Sequence, residues 1–326
     1  MKKLTNEYQN IIKCPLQLTG TFILLIFRLY IAKKQCKKIL GLSGKIHSKG
    51  DKRRLGYAFK VVGIVGYFIE CITNKPLSQN SKKNLIISGA LTPIFDDYFD
   101  SINTSVESIN LKIKVKDLTN SLRFDEASRS FFSILQEKTS HTEFAGHLES
   151  AIHWQIESTK QKTTKDTLIL EEITINKGGS AFTFFASCTD YNLKEKQINA
   201  VYNFGAFIQL VDDIFDIYQD EKEGINTLAS INIDNLKEIS RILTEFIAKS
   251  FDNITITNNK NKLARLYALY AFPAYYYLHY LSEMSTKKDF WDASGKLNEK
   301  YSWKGWTMPH IMKFIWYMFS KKNFYQ

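Results

Sequence analysis

The sequence lacks a convincing secretory signal, and its first apolar run is too short to cross a bilayer. The first apolar run, Phe22 to Phe27, arrives late for a secretory signal, and Arg28 interrupts its continuation into Leu29 to Ala32. With neither signal, the expected compartment is the cytoplasm. Cysteine is sparse: Cys14, Cys36, Cys71 and Cys188 are scattered, with no CxxC pair and no zinc-type spacing. That excludes a disulfide framework and suits a reducing compartment. Arginine, the usual reader of bases, is scarce beside lysine, and no recognised nucleic-acid-binding motif occurs, so no nucleic-acid partner is expected. Period-two alternation is rare, no short repeat appears, and no linker is long enough to force a split into two domains.

What is present is apolar and helical. Hydrophobic residues make up 44% of the 326 residues and aromatics 14%, enough for a substantial core. The net charge of +11 has two readings: drift in a chain rich in Asn, Ile and Lys, or attraction of an anionic partner such as diphosphate or an acidic membrane surface. Helical periodicity is expected from Leu16 to Leu40, ending in Lys33, Lys34, Lys37 and Lys38, and from Leu55 to about Thr73, after GDKRR at Gly50 to Arg54. A third helix leads to DDYFD, with Pro93 as an expected kink. Helical patterns follow around Glu126 to Lys138 and Glu143 to Thr159, then a solvated turn from Lys160 to Asp166. From Leu168 to Cys188 the pattern is helical but broken at Lys177, Gly178 and Gly179. Helices are expected again from Leu236 to Phe251 and from Leu263 to Leu281. The whole reads as an all-α chain of about ten to twelve helices.

One stretch breaks the rule that a core-facing stripe is apolar. In NFGAFIQLVDDIFDIYQDEKEGINTLAS, from Asn203 to Ser230, the aspartates Asp212, Asp213, Asp216 and Asp220 are set into an apolar segment. A helix stacks Asp212, Asp216 and Asp220 on one face. Carboxylates about 5 Å apart repel by roughly 3 kcal/mol per pair at an effective dielectric near 20. Such a helix has cations to hold, and magnesium, with its oxygen ligands, waters and substrate phosphates, fits. A second cluster, DDYFD, carries Asp96, Asp97 and Asp100 after the apolar run Leu85 to Phe95. A lone DDxxD is more often a solvated helix face; two of them, each after an apolar helical run, suit ionisation of an allylic diphosphate between two metal-bearing helices.

These motifs resemble the class I isoprenoid synthase superfamily, which includes trans-prenyl diphosphate synthases and terpene cyclases. DDYFD at Asp96 resembles the family's first aspartate-rich motif. FIQLVDDIFD, from Phe207 to Asp216, resembles the second motif of prenyl synthases, with Gln209 in the place of its glutamine. In the cyclase register, Asp212, Asp216 and Asp220 take the places of that group's second metal triad, and EKEGIN, with Lys222, Gly224 and Asn226, resembles the sequence that follows it. Lys177 resembles a diphosphate-binding lysine upstream of the second motif. GDKRR resembles a GGKR segment and makes Lys52, Arg53 and Arg54 candidates for a phosphate clamp.

The resemblance implies a single-domain helical bundle around a central active-site cavity, over residues 50–300, with a basic and apolar helical extension at 1–49 and an aromatic, basic tail at 301–326. It implies magnesium, three ions per site with the diphosphate, and an allylic prenyl diphosphate as substrate. Asp96, Asp97, Asp212 and Lys177 would be catalytic; the seven aspartates would hold metal; Lys52, Arg53, Arg54, Lys177, Gln209, Lys222 and Asn226 would bind diphosphate. The arginine pair that prenyl synthases carry after the first motif is missing from SINTSVESINLKIK, and the cyclase Arg-Tyr pair near the C-terminus is missing too, with only Arg265 and Tyr267 nearby. The preferred expectation is a terpene synthase making a hydrocarbon or alcohol; a chain-elongating prenyltransferase is the alternative, and a non-catalytic, membrane-associated helical protein the third. The tyrosine-rich segment Tyr267 to Tyr280 is either plain core or a cation-stabilising pocket wall. The tail from Trp303 to Tyr325 is either a packed terminal helix or one that makes peripheral membrane contact. A homodimer is one expected assembly. His141, His147 and His153 recur every six residues, which does not gather metal ligands on a helix face.

Overall fold

The computed structural model describes residues 15–40, 49–101, 133, 143–252 and 259–303. Among these there are nine α-helices and no strand. They are α1 (Pro15–Ile39), α2 (Lys49–Thr73), α3 (Gln79–Ser101), α4 (Glu143–Glu157), α5 (Thr167–Ser187), α6 (Glu195–Phe215), α7 (Ile217–Glu223), α8 (Leu236–Asp252) and α9 (Lys260–Met284). The all-α expectation holds. The helix expected around Glu126 to Lys138 and the tail beyond Trp303 lie outside the described residues.

Local chemistry sets the boundaries. Asp166 caps α5 by accepting from the backbone N–H of Leu168 at 2.9 Å and of Ile169 at 3.4 Å. α2 ends at Thr73, followed by Asn74 in the left-handed region at φ 55°, which an Asn tolerates, and then Pro76. Gly224 closes α7 at φ 72°, a value open to glycine.

Several boundaries differ from expectation. GDKRR does not precede α2 but forms its opening turns, since the helix starts at Lys49. α3 continues through Pro93 to Ser101. The stretch Lys160 to Asp166 is not wholly a solvated turn: Ser158–Lys162 forms a 3-10 helix in which Gln161 is buried. α5 is not broken at Lys177 to Gly179 but runs unbroken to Ser187. The reason is packing. A Cβ on Gly178 would lie 2.4 Å from the Gly205 carbonyl oxygen, and one on Gly205 would lie 2.3 Å from that of Gly178. The two helices touch backbone to backbone, and the glycines are there for the crossing, not for a break.

α5 lies between α4 and α6, while α2 pairs with α3 and carries α1 on its outer side. α8 and α9 back α6. The core stacks Phe68 of α2 on Phe204 of α6, with ring centroids 4.2 Å apart, and sets the edge of Tyr267 against Phe204 at 5.0 Å. The tyrosines Tyr267 and Tyr277 are fully buried there, the plain-core reading of that segment. Among the described residues one helix, α2, is long and apolar enough to cross a membrane over Gly50–Thr73, yet most of it is buried inside this bundle.

Candidate active site

A cavity of about 500 Å³ opens between α2, the middle of α3, α4, α5, α6 and α7. Its apolar lining is Val61, Ile64 and Val65 from α2, Phe182 and Phe185 from α5, and Ile208 from α6. Its polar lining combines Asp212, Asp213, Asp216 and Asp220 with four bases, Arg53 and Lys60 on α2, Lys162 on the 3-10 helix and Lys177 on α5. The helical period explains the arrangement, since Arg53, Tyr57, Lys60 and Ile64 recur every three or four residues along one face of α2.

The aspartates sit where a helix ends without losing its register. α6 stops at Phe215 and Asp216 departs from helical backbone at φ −95°, ψ 6°. Even so, the Asp216 N–H donates to the Asp212 carbonyl at 2.9 Å, and the Asp220 N–H to the Asp216 carbonyl at 2.8 Å. The every-fourth-residue spacing therefore survives the junction into α7. Beyond it, the left-handed Gly224 turns the chain back, so that Ile225 and Thr227 join the lining. The Asn226 N–H donates to the Gln161 carbonyl at 2.8 Å, tying this turn to the 3-10 helix opposite.

The four carboxylates differ in their partners. Asp213 is only 6% exposed and is held internally: Gln209 Nε2 donates to Oδ1 at 2.9 Å and Thr174 Oγ1 to Oδ2 at 3.2 Å. Asp212 and Asp216 are open to the solvent of the cavity. Asp220 accepts from Thr227 Oγ1 at 3.3 Å. Burial in the protein pushes all four upward. Asp212 is raised by burial, against the opposing pull of Lys60 and Lys177. Asp213 is raised to about 7, mainly by burial, with the Gln209 bond working against it. Asp216 is raised to about 6 by burial and by Asp212. Asp220 is raised to about 8 by burial and by its neighbours Asp213 and Asp216. Among the described residues no Lys, Arg or His side chain forms an ion pair with any of them. The carboxyls thus share the cavity with Arg53, Lys60, Lys162 and Lys177 without a direct ion pair among the described residues.

That donor set fits a hard divalent cation in a particular way. Among the described residues no three His, Cys, Asp or Glu side chains converge closely enough to grip an ion unaided. Magnesium does not require such a cage: one or two carboxylates, waters and substrate phosphate oxygens complete its shell. Asp212, Asp216 and Asp220 offer oxygen ligands in the lining of the cavity.

The other expected residues fall as follows. Asp96, Asp97 and Asp100 lie on the last two turns of α3, beyond the cavity-lining Thr92, with their side chains outside the described residues. Arg53, Lys177 and Gln209 line the cavity. Lys52, Arg54, Lys222 and Asn226 are not among its lining side chains; Lys222 instead sits over the Tyr218 ring, 5.9 Å from its centroid. Two lining bases were not expected from sequence, Lys60 and Lys162. Lys60 could have been found by the logic that singled out the aspartates, because it is a charge set in the apolar run of α2. Lys162, in a polar segment, carries no such signal.

No protein-family model matches this chain, and no curated protein matches it. Among solved structures, a dehydrosqualene synthase in complex with ligand is similar at a TM-score of 0.48 and 12% identity, over 83% of this chain and 97% of that one. A likeness of that size assigns no chemistry here.

Proposed function

We propose that this chain is a magnesium-dependent class I terpene synthase, which ionises an allylic prenyl diphosphate and releases a terpene hydrocarbon or alcohol. One observation carries the reading: a stacked row of carboxylates, none of them ion-paired among the described residues, in a cavity lined both by apolar side chains and by lysines. A diphosphate ester is matched at both ends by such a cavity, its charged head by the polar lining and its hydrocarbon tail by the apolar lining. Asp212, Asp216 and Asp220, with Asp96, Asp97 and Asp100 on α3, would hold magnesium. The metal, when bound, supplies charge neutralisation at the phosphate oxygens.

The chain's own groups do the rest. Lys177 and Lys60 direct positive charge toward the oxygens on which negative charge grows as the C1–O bond breaks, its electron pair leaving with the diphosphate. Arg53 offers a planar fork suited to a second phosphate oxygen. Val61, Ile64, Val65 and Ile208 keep water from the allylic cation, and the ring faces of Phe182 and Phe185 stabilise its charge. Proton loss then gives a hydrocarbon and capture of water an alcohol. Asp213 favours this reading over chain elongation, because its carboxylate is engaged by Gln209 and Thr174 while Asp220 is brought into the row. Gln209, which stands in the place of the glutamine of the prenyl-synthase motif and lines the cavity, keeps the elongating prenyltransferase as the second reading.

Incubation of the purified protein with magnesium and geranyl, farnesyl or geranylgeranyl diphosphate tests both. Hydrocarbon or alcohol products are expected from the diphosphate alone. Longer diphosphates, formed only when isopentenyl diphosphate is added, would replace the first reading with the second. No magnesium-dependent release of diphosphate from any of the three would sink both.

A further inference from the structure

A second feature of the molecule lies on the side of α1 away from the bundle. α1 is docked by one face: Ala32 and Cys36 are buried, and Leu29 packs on Gly63 of α2. Arg28 reaches back to the same helix, its Nη1 2.7 Å from Glu70 Oε2 and its guanidinium 4.4 Å above the Tyr67 ring centroid. Among the described side chains, the opposite face, from Phe27 on, is exposed. Phe27 is 59% exposed, Tyr30 54% and Ile31 40%, three of the five large apolar side chains exposed to this degree among the described residues. They occupy positions i, i+3 and i+4, a single stripe, and the same stripe ends in basic residues. Lys34 and Lys38 are exposed there, with the Lys34 ammonium 4.7 Å from the Tyr30 ring centroid, while Lys33 leans the other way, its ammonium 6.0 Å from the Phe59 ring centroid on α2.

We propose that this face of α1 is a docking surface for an acidic lipid bilayer, on which the helix lies flat. Charge decides the occupant. A patch of large apolar side chains set singly would suit several partners, but one continued by lysines without an intervening acidic residue from Phe27 to Leu40 matches a surface that is greasy and negative together. Aromatic rings at such a boundary sit at headgroup depth, and lysine stems extend along the apolar layer while their ammonium groups stay with the phosphates. The contacts of Arg28 and Leu29 hold α1 along the protein, so the helix rests on the bilayer and does not cross it.

Flotation of the full chain with vesicles tests this directly. Phosphatidylcholine vesicles are compared with phosphatidylcholine–phosphatidylserine vesicles, each at low and high salt. Wild type is expected to float with the acidic vesicles at low salt and to be released at high salt. The variants F27E/Y30E and K34Q/K38Q should each lose flotation, the lysine variant by roughly thirtyfold in partitioning, at about 1 kcal/mol per lysine near an acidic surface. Circular dichroism and thermal melts establish that each variant is folded, and the lysine variant, which alters surface side chains alone, decides the matter if F27E/Y30E melts early. The proposal is overturned if wild type stays unbound, if both variants float like wild type, or if the protein resists high salt and alkaline carbonate as an inserted helix would. It is overturned equally if sedimentation shows a dimer that F27E/Y30E dissolves while no vesicle is bound.

Discussion

The backbone N–H of Asp220 donates to the carbonyl oxygen of Asp216 at 2.8 Å, although α6 has ended and α7 is only beginning. This bond continues the one from Asp216 to Asp212, so three carboxylates share a row across a helix junction. Asp213, adjacent in sequence, belongs instead to the packing between α5 and α6. Substitution should separate the two roles. Asp212→Asn and Asp220→Asn are expected to cost on the order of 10³-fold in the rate of diphosphate release. Asp213→Asn, which alters a positioning residue, is expected to cost about 10–100-fold and to be partly offset by raising magnesium. Steady-state kinetics across a magnesium titration reads the difference; equal losses at all three positions would mean that the row is not the functional unit.

Stability should depend on pH with an uncommon sign. An unfolded chain titrates its aspartates near about 3.9, whereas Asp216, Asp213 and Asp220 are raised in the folded protein to about 6, 7 and 8. The folded state therefore holds these protons where the unfolded state has released them. Their contribution is fully present below the unfolded pKa and is lost as pH rises through the folded values. In a chelator, the melting temperature should fall as pH rises from about 5 to about 9. Asp220→Asn should flatten that slope. Added magnesium should raise the melting temperature most at the alkaline end, because it competes with protons for the same oxygens. A melting temperature that is independent of pH in chelator would remove the idea of concentrated charge.

Lys177 and Lys60 face the aspartate row from α5 and α2, and both hold the Asp212 carboxyl down against burial. Each is expected to act on the leaving group more than on folding. Lys177→Ala or Lys60→Ala should lower kcat/KM by about 10²-fold, and Lys→Arg at either site should restore a large share. Unchanged melting temperature together with the kinetic loss identifies a binding role; a matching loss of stability points to packing instead.

Gly178 and Gly205 give a prediction about folding alone. Gly205→Val places a branched side chain where the Gly178 carbonyl oxygen already sits, so the helices must separate. Overpacking of this kind costs about 1–3 kcal/mol, and more where backbone is the obstacle. Denaturant titration should show the midpoint falling. A variant as stable as wild type would mean that α5 and α6 can slide.

Much of this was legible in the sequence because helical period governs both core and site. The spacing of Asp212, Asp216 and Asp220 marked one face before any coordinate was known, and Arg53, Lys177 and Gln209 all line the cavity. What was not legible depends on contacts between elements distant in the chain. Gly178 and Gly179 look like a helix break because each glycine in a helix costs about 1 kcal/mol relative to alanine. Only the neighbouring helix shows why that loss is accepted. GDKRR reads as preceding the helix for the same kind of reason: the apolar pattern of α2 becomes visible at Leu55, while the helix itself starts at Lys49. Lys162 lies in a polar stretch whose sequence says nothing of what it faces.

The contact of Gly178 with Gly205 also limits how the cavity can change in size. Lys177 adjoins one glycine, and Gln209 follows the other by a single turn, so the wall bearing the lysine and the aspartates is packed backbone to backbone and leaves little room for a larger side chain. On the α2 and α3 side, where Gly89 likewise lies close to the Tyr57 and Ala58 backbone, the size of the chamber is set by the side chains of Val61, Ile64 and Thr92. A laboratory search for altered product size would do best to randomise Val61, Ile64 and Thr92 and leave the glycine contacts alone.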